Sequence, residues 1–97
     1  MFEIRFTSES LNDIRWFKRA DRRRVMADVE TLLPHEPATE TRNRKRLRPN
    51  RLAEWELRMG HFRVFYDVDP ENELIKIVAV GYKEGNQLWI RGEKYEL

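Results

Sequence analysis

The sequence predicts an α+β fold in the order β-α-α-β-β-β, followed by a short C-terminal element. Residues 55–59 alternate between apolar and polar side chains, which is the period of a half-buried strand. Residues 62–68 and 74–81 are rich in β-branched and aromatic side chains. Residues 11–33 instead repeat their apolar positions at helical spacing. We therefore expect a two-helix hairpin packed against one face of an antiparallel strand meander.

The N-terminal third of the chain predicts a short strand and the two helices. The segment 2–7 alternates as a strand does, and either hydroxyl of the pair 7–8 can cap the first helix. The cations at 18–19 suit the C-terminal end of that helix, where the dipole is negative. Asp21 is a candidate cap for the second helix, and Pro34 ends it because proline cannot continue a helix.

The first turn of the meander sets which charged side chains face each other. Gly60-His61 is a two-residue loop, since glycine tolerates the positive φ that tight hairpins need. This loop pairs Met59 with Phe62 and places Arg58 directly opposite Arg63 on one face of the sheet. Two opposed arginines repel each other unless an anion, either Glu56 or a ligand phosphate, lies between them.

The second turn sets the register of the last long strand. A five-residue loop, 69–73, pairs Val68 with Leu74 and puts Val78 and Val80 on the apolar face. Lys83 then shares the face of Arg63. The same register predicts an apolar strip on that face, formed by Phe65, Ile75 and Ile77.

Composition bounds the class of protein. The 97 residues suit a single domain, 1–97, with a basic connector at 38–53 and a loose tail at 93–97. There is no cysteine, and the two histidines are far apart, so we expect neither a metal site nor a cofactor. No apolar run approaches the roughly 20 residues that span a bilayer, so we expect no membrane contact and a cytoplasmic location.

The connector concentrates positive charge. The formal net charge is only +2, but six cations fall within residues 42–51 and no acid does. They are Arg42, Arg44, Lys45, Arg46, Arg48 and Arg51. Such a segment suits a polyanion, because arginine matches phosphate geometry. On composition alone, a solvated loop explains the same run equally well.

Two strings resemble the RelE/ParE toxin superfamily, the small toxins of type II toxin–antitoxin modules. They are L-x-x-W-E-L-R-M-G-H-F-R-V-F-Y-D-V-D and I-V-A-V-G-Y-K-E-G-N, and the resemblance covers nearly the whole chain. It implies two helices on one face of a four-stranded, mainly antiparallel twisted sheet. It also implies a cognate antitoxin that wraps the toxin and through which alone operator DNA is bound.

The resemblance leaves three activities open. RelE-like members are ribosome-dependent endoribonucleases that cleave mRNA in the ribosomal A site and so inhibit translation. ParE-like members inhibit DNA gyrase instead. A third alternative is a non-catalytic member that binds only its antitoxin and the operator. We predict the endoribonuclease, because Arg63 and Lys83 are retained and the basic connector suits ribosomal RNA.

The resemblance also implies roles for single residues. Arg63 stands where the family has an arginine on the scissile phosphate, and Lys83 stands where RelE has a second catalytic arginine. Trp89 replaces a tyrosine that stacks on the nucleotide, and Arg58 is expected to assist in binding. Glu54 and Glu56 replace two lysines. Arg44, Lys45, Arg46, Arg48 and Arg51 are expected to bind the RNA backbone.

Acid–base chemistry and antitoxin docking each have two explanations. Glu56 could serve as general base, or it could simply pair with Arg63 or Arg58. His61 is a minority candidate for proton transfer, since a histidine in a turn is usually only solvent-exposed.

We expect the antitoxin to cover Arg63 and the apolar strip with a helix or strand. Alternatively, the C-terminal segment with Leu88 and Trp89 packs on that strip.

Overall fold

A computed structural model describes residues 1–97 as two helices and seven strands. In chain order these are β1 Glu3–Phe6, α1 Ser8–Arg15, α2 Arg19–Leu32, β2 Arg44–Arg46, β3 Trp55–Met59, β4 Phe62–Asp69, β5 Leu74–Glu84, β6 Gln87–Ile90 and β7 Glu93–Tyr95. One sheet runs in the order β2-β3-β4-β5-β6-β7, and β1 pairs in parallel with the first part of β5. The α+β fold is confirmed, with three more strands than the four expected.

The two helices begin at different kinds of cap. Thr7 caps α1 as predicted, because its Oγ1 accepts a hydrogen bond from Ser10 N at 3.1 Å. The prediction of Asp21 as the cap of α2 is wrong. Lys18 occupies that position without a side-chain hydrogen bond, and Asp21 lies in the first turn. The cations at 18–19 therefore stand at the start of α2 and not at the end of α1. Water can satisfy the exposed N–H groups in the first turn of α2.

The first hairpin has the predicted register, and the second does not. Met59 pairs with Phe62 and Arg58 with Arg63, as expected. Leu74, however, pairs with Asp69 and not with Val68. This shift by one residue moves every side chain in the first part of β5 to the other face.

A bulge in the β4–β5 ladder then restores the predicted faces. The register shifts between Phe65 and Tyr66, which pair with Ala79 and Ile77, so Val78 is the extra residue. Beyond it, Val80 and Lys83 lie on the faces expected. Ile75 and Ile77 lie under the helices, so the apolar strip that included them was wrong, as was the placement of Val78.

Two hydrophobic cores form on opposite faces of the sheet. The larger lies between the helices and the sheet and includes Val25, Val29, Leu57, Val64 and Tyr66. The smaller lies on the other face. Its buried members are Ala53, Phe65, Ala79, Leu88 and Ile90. Leu88 therefore covers Phe65 from within the chain, whereas Trp89, which the same alternative placed there, is not part of this core.

The connector and the tail both contain strands that the sequence did not predict. β2 lies inside the connector 38–53 and pairs antiparallel with β3. Pairing satisfies one edge of β3, and cationic side chains on the new edge oppose pairing with other chains. β7 lies inside the tail 93–97 and pairs with β6. The turn between them uses positive φ at Arg91 and Gly92, as tight hairpins require.

Tyr66 ties the sheet to the segment that follows α2. Its side chain is fully buried, and its hydroxyl donates a 2.7 Å hydrogen bond to the carbonyl of Pro37. Burial raises the pKa of the Tyr66 hydroxyl, which keeps it a donor. Tyr66→Phe should lower the free energy of unfolding by about 1–2 kcal/mol, because that carbonyl loses its partner. Urea unfolding measures this, with Tyr82→Phe as control. Equal stability of Tyr66→Phe and wild type would contradict it.

Candidate phosphate-binding site

Three neighbouring strands bring cations together on the face away from the helices. Arg58 on β3 lies directly opposite Arg63 on β4, and Arg63 in turn pairs with Gly81 on β5. Lys83 follows two residues later and therefore shares that face. We call Arg58, Arg63 and Lys83 the cation cluster. The backbone N–H of Lys83 donates a 2.7 Å hydrogen bond to the carbonyl of His61, which fixes the end of β5 against the hairpin turn.

Glu56 supplies the negative charge that the opposed arginines require. It is only 3% exposed, and its Oε1 lies 2.7 Å from Arg58 Nε in a hydrogen-bonded ion pair. Glu56 and Lys83 also line a cavity of about 390 Å³ that the C-terminal residues help to close. Because Glu56 is already paired and nearly inaccessible, the geometry favours its ion-pair role over that of a general base.

Arg63 is held rigidly at the centre of the cluster. Its Nη1 donates to the carbonyls of Gly60 at 2.7 Å and Phe62 at 2.8 Å. Its Nε is buried and has no hydrogen-bond partner. Burial, and to a lesser degree the charge of Arg58, lower the pKa of Arg63, and Glu56 opposes this. The guanidinium thus presents a fixed positive charge with unused donors, as a phosphate site requires.

The basic connector divides among different surfaces. Lys45 pairs with Glu56 and faces the cation cluster. Arg44 instead donates from Nη1 to the carbonyl of Leu32 at 2.6 Å, which ties the connector to the end of α2. Arg46 lies 5.6 Å from the ring of Trp55 in a cation–π contact. Arg48 and Arg51 are exposed and line a separate cleft of about 420 Å³. Only part of the predicted RNA-binding set therefore lies with Arg63.

The structure places no group of three or more histidine or acidic side chains where they could hold a metal ion. No helix is long and apolar enough to cross a membrane.

Comparison with known proteins identifies the family. The model of the ParE toxin of the type II toxin–antitoxin system parDE matches residues 4–86. The chain belongs to this toxin family. It is thus a toxin of the RelE/ParE superfamily, as the two sequence strings indicated. None of the curated proteins matches the sequence significantly.

Solved structures share the fold of this ParE-family toxin. The toxin–antitoxin complex RelBE2 from Mycobacterium tuberculosis has a chain of 24% identity and TM-score 0.74, covering 84% of this chain and 98% of its own. The RelE–RelB complex from Pyrococcus horikoshii has a chain of 20% identity and TM-score 0.67, covering 87% and 96%. At these identities the similarity establishes the fold alone.

Among the predicted site residues of the ParE-family toxin, Trp89 lies on the opposite face from Arg63, and His61 lies at the turn beside it. Trp89 pairs with Tyr82, which packs against the larger core, so Trp89 lies on the helix face of the sheet. Cross-strand partners share a face of the sheet, so the pairing of β6 with β5 fixes the side on which Trp89 lies. His61 is exposed at the hairpin turn, and its ring packs 4.4 Å from that of Phe62.

Sequence reasoning missed an ion pair between Asp13 and Arg91. The Asp13 side chain is fully buried; its Oδ1 lies 2.6 Å from Arg91 Nε, and its Oδ2 accepts from Val80 N at 3.0 Å. The N–H of Val80 lies between the part of β5 that pairs with β1 and the part that pairs with β6. Helical spacing carries the missed signal, since Asp13 falls on the buried stripe of α1 with Ser10 and Ile14.

Proposed function

We propose that this toxin is a ribosome-dependent endoribonuclease that inhibits translation by cleaving mRNA. The observation that carries the proposal is the rigid guanidinium of Arg63, flanked by Arg58 and Lys83 on one face of the sheet. Cations fixed in this way stabilise charge that develops on a phosphate without having to reorganise. No metal or cofactor takes part in the proposed reaction.

The reaction is attack of a ribose 2′-OH on the adjacent phosphate. A bond forms between O2′ and phosphorus, and the bond to the 5′-oxygen breaks, leaving a 2′,3′-cyclic phosphate and a 5′-hydroxyl. Arg63 and Lys83 stabilise the negative charge of the phosphorane, and Arg58 assists. One proton leaves O2′ and one reaches the 5′-oxygen. His61, exposed at the turn between β3 and β4, stays the candidate for proton transfer.

Glu56 acts as a positioning residue that holds Arg58. Glu56→Gln should therefore leave the cleavage rate within about tenfold of wild type and its pH profile unchanged, since the amide oxygen still accepts from Arg58. A general base would instead contribute about 10²–10⁴-fold. Single-turnover cleavage measured across pH distinguishes the two roles. If folded Glu56→Gln loses that much activity, Glu56 is the base.

The partner of the toxin is a cognate antitoxin, and operator DNA is bound only through it. The similar M. tuberculosis and P. horikoshii proteins were solved as complexes with antitoxins. Because Phe65 is covered by the toxin's own Leu88, the antitoxin has no apolar strip to cover beside Arg63. We expect acidic antitoxin side chains on the cation cluster. A complex with Arg63 exposed to solvent would contradict this. A ribosomal target also places the toxin in the cytoplasm.

The competing function is inhibition of DNA gyrase. The match to the ParE toxin model and the placement of Trp89 away from Arg63 favour it. A reconstituted translation system, run with and without ribosomes, separates the two functions. RNA cleavage that requires ribosomes supports the endoribonuclease. Inhibition of gyrase supercoiling without RNA cleavage would replace it.

A further inference from the structure

A small aromatic cavity lies on the helix face of the sheet, behind the cation cluster. Its volume is about 150 Å³, and its walls include the rings of Trp16, Phe17, Tyr82 and Trp89. A cavity of about this size can hold one benzene-sized ring. Trp16 is 74% exposed, which is unusual for so large an apolar side chain. Neither the fold nor the proposed reaction gives this tryptophan a role.

The floor and rim of the cavity are polar. Asp13 and Arg91 both line it. Asp13 is fully buried, and its Oδ1 pairs with Arg91 Nε at 2.6 Å. Arg91 itself is 38% exposed, and Lys94 Nζ lies 5.8 Å from the ring of Trp89. One cation, Arg91, thus lines the ring-sized space, and a second, Lys94, lies beside its Trp89 wall.

We propose that this cavity binds a base of single-stranded nucleic acid, stacked against Trp16, with Arg91 and Lys94 contacting the flanking phosphates. Aromatic side chains combined with a cationic surface are the usual means of binding single strands. The inference rests on the proposed nucleic-acid target and adds a second contact to it. An aromatic side chain of a partner protein would fill the same space, but it carries no phosphate for these cations.

The cavity is separate from the cation cluster. Gly81 lines the cavity, and on the neighbouring strand it pairs with Arg63. The two sites therefore lie on opposite faces of the same pair of strands. Gly81 must be glycine here, because a Cβ atom would lie 2.3 Å from the carbonyl oxygen of Trp89. Loss of one site should leave the other intact.

Fluorescence anisotropy of a labelled short oligothymidylate tests the proposal with the purified full chain. DNA lacks the 2′-OH, so the proposed nuclease cannot cut the probe. Trp16→Ala should raise the Kd by about 5- to 100-fold, the usual effect of removing one stacking side chain. Trp16→Phe should restore most of the affinity. Leu11→Ala is the matched control, since Leu11 is an exposed apolar residue of α1 outside the cavity.

An abasic oligonucleotide of equal charge completes the experiment. Wild type should bind it more weakly than oligothymidylate, and Trp16→Ala should not change that weaker binding. Equal affinity of the two probes, or an unchanged Kd in Trp16→Ala, would overturn the proposal. The proposal would also be overturned if Trp16→Ala lost its affinity for the antitoxin but kept its affinity for the oligonucleotide. Arg63→Ala should still bind the oligonucleotide in a way that depends on Trp16. A failure of the ribonuclease proposal can therefore be told apart from a failure of this one.

Discussion

Arg63→Ala should abolish growth arrest and lower mRNA cleavage by about 10²–10³-fold, the usual effect of removing one fixed charge-stabilising group. Arg63 is the only arginine of the cation cluster whose guanidinium is held by two backbone carbonyls. Arg58 cannot take its place, because its Nε is already bound to Glu56. The measurement is the cleavage rate of a reporter mRNA in a translating extract.

Two variants make this result specific to Arg63. Arg63→Lys keeps the charge but not the planar group that donates to both carbonyls, so its activity should fall between those of wild type and Arg63→Ala. Arg5→Ala removes an exposed arginine from β1 and should cleave as wild type does. Urea unfolding checks that Arg63→Ala stays folded. A folded Arg63→Ala chain that cuts normally would remove Arg63 from the mechanism.

Asp13→Ala should lower the free energy of unfolding by about 1–3 kcal/mol, the usual cost of leaving a buried hydrogen-bond donor without its acceptor. The substitution leaves the N–H of Val80 without an acceptor and Arg91 without its anion. It also releases the β6–β7 hairpin from α1. Chemical denaturation at neutral pH measures the loss. Asp28→Ala, which affects only a surface pair with Arg24, should change stability by less than about 1 kcal/mol.

The pH dependence of stability tests the same site. Burial raises the pKa of Asp13, although Val80 N–H and Arg91 oppose the shift. Between its ordinary and its raised pKa, the folded chain binds more protons than the unfolded chain. The contribution of Asp13 to stability therefore falls as pH rises through that window and is constant above it. Asp13→Asn keeps an acceptor for Val80 and should remove this dependence. A contribution that rises with pH would contradict the assignment.

The meander and its charged face could be predicted because local signals fix them. Gly60-His61 specifies a tight hairpin, and the alternation of residues 55–59 then aligns Arg58 with Arg63. The register of β5 could not be predicted in the same way. Residues 74–80 are apolar at every position except Lys76, so no alternation marks the face or the extra residue Val78.

The short edge strands escaped prediction because pairing, not propensity, makes them. β2 is arginine- and lysine-rich and becomes a strand only against β3. β6 and β7 depend on turns whose backbone conformation the sequence marks only by glycine. The pairing of β6 with β5 also decided the face of Trp89, which the family resemblance alone had placed with Arg63. The contact between Asp13 and Arg91 joins opposite ends of the chain, beyond any local pattern.

The endoribonuclease proposal is tested most directly by primer extension on a translated reporter mRNA, after induced expression of wild type beside Arg63→Ala in a bacterial host. We expect growth arrest with cuts inside the reading frame for wild type, and neither for Arg63→Ala. Arrest without cuts would contradict the proposal and direct attention to gyrase. Cuts that persist in Arg63→Ala would show that the cation cluster is not the catalytic site.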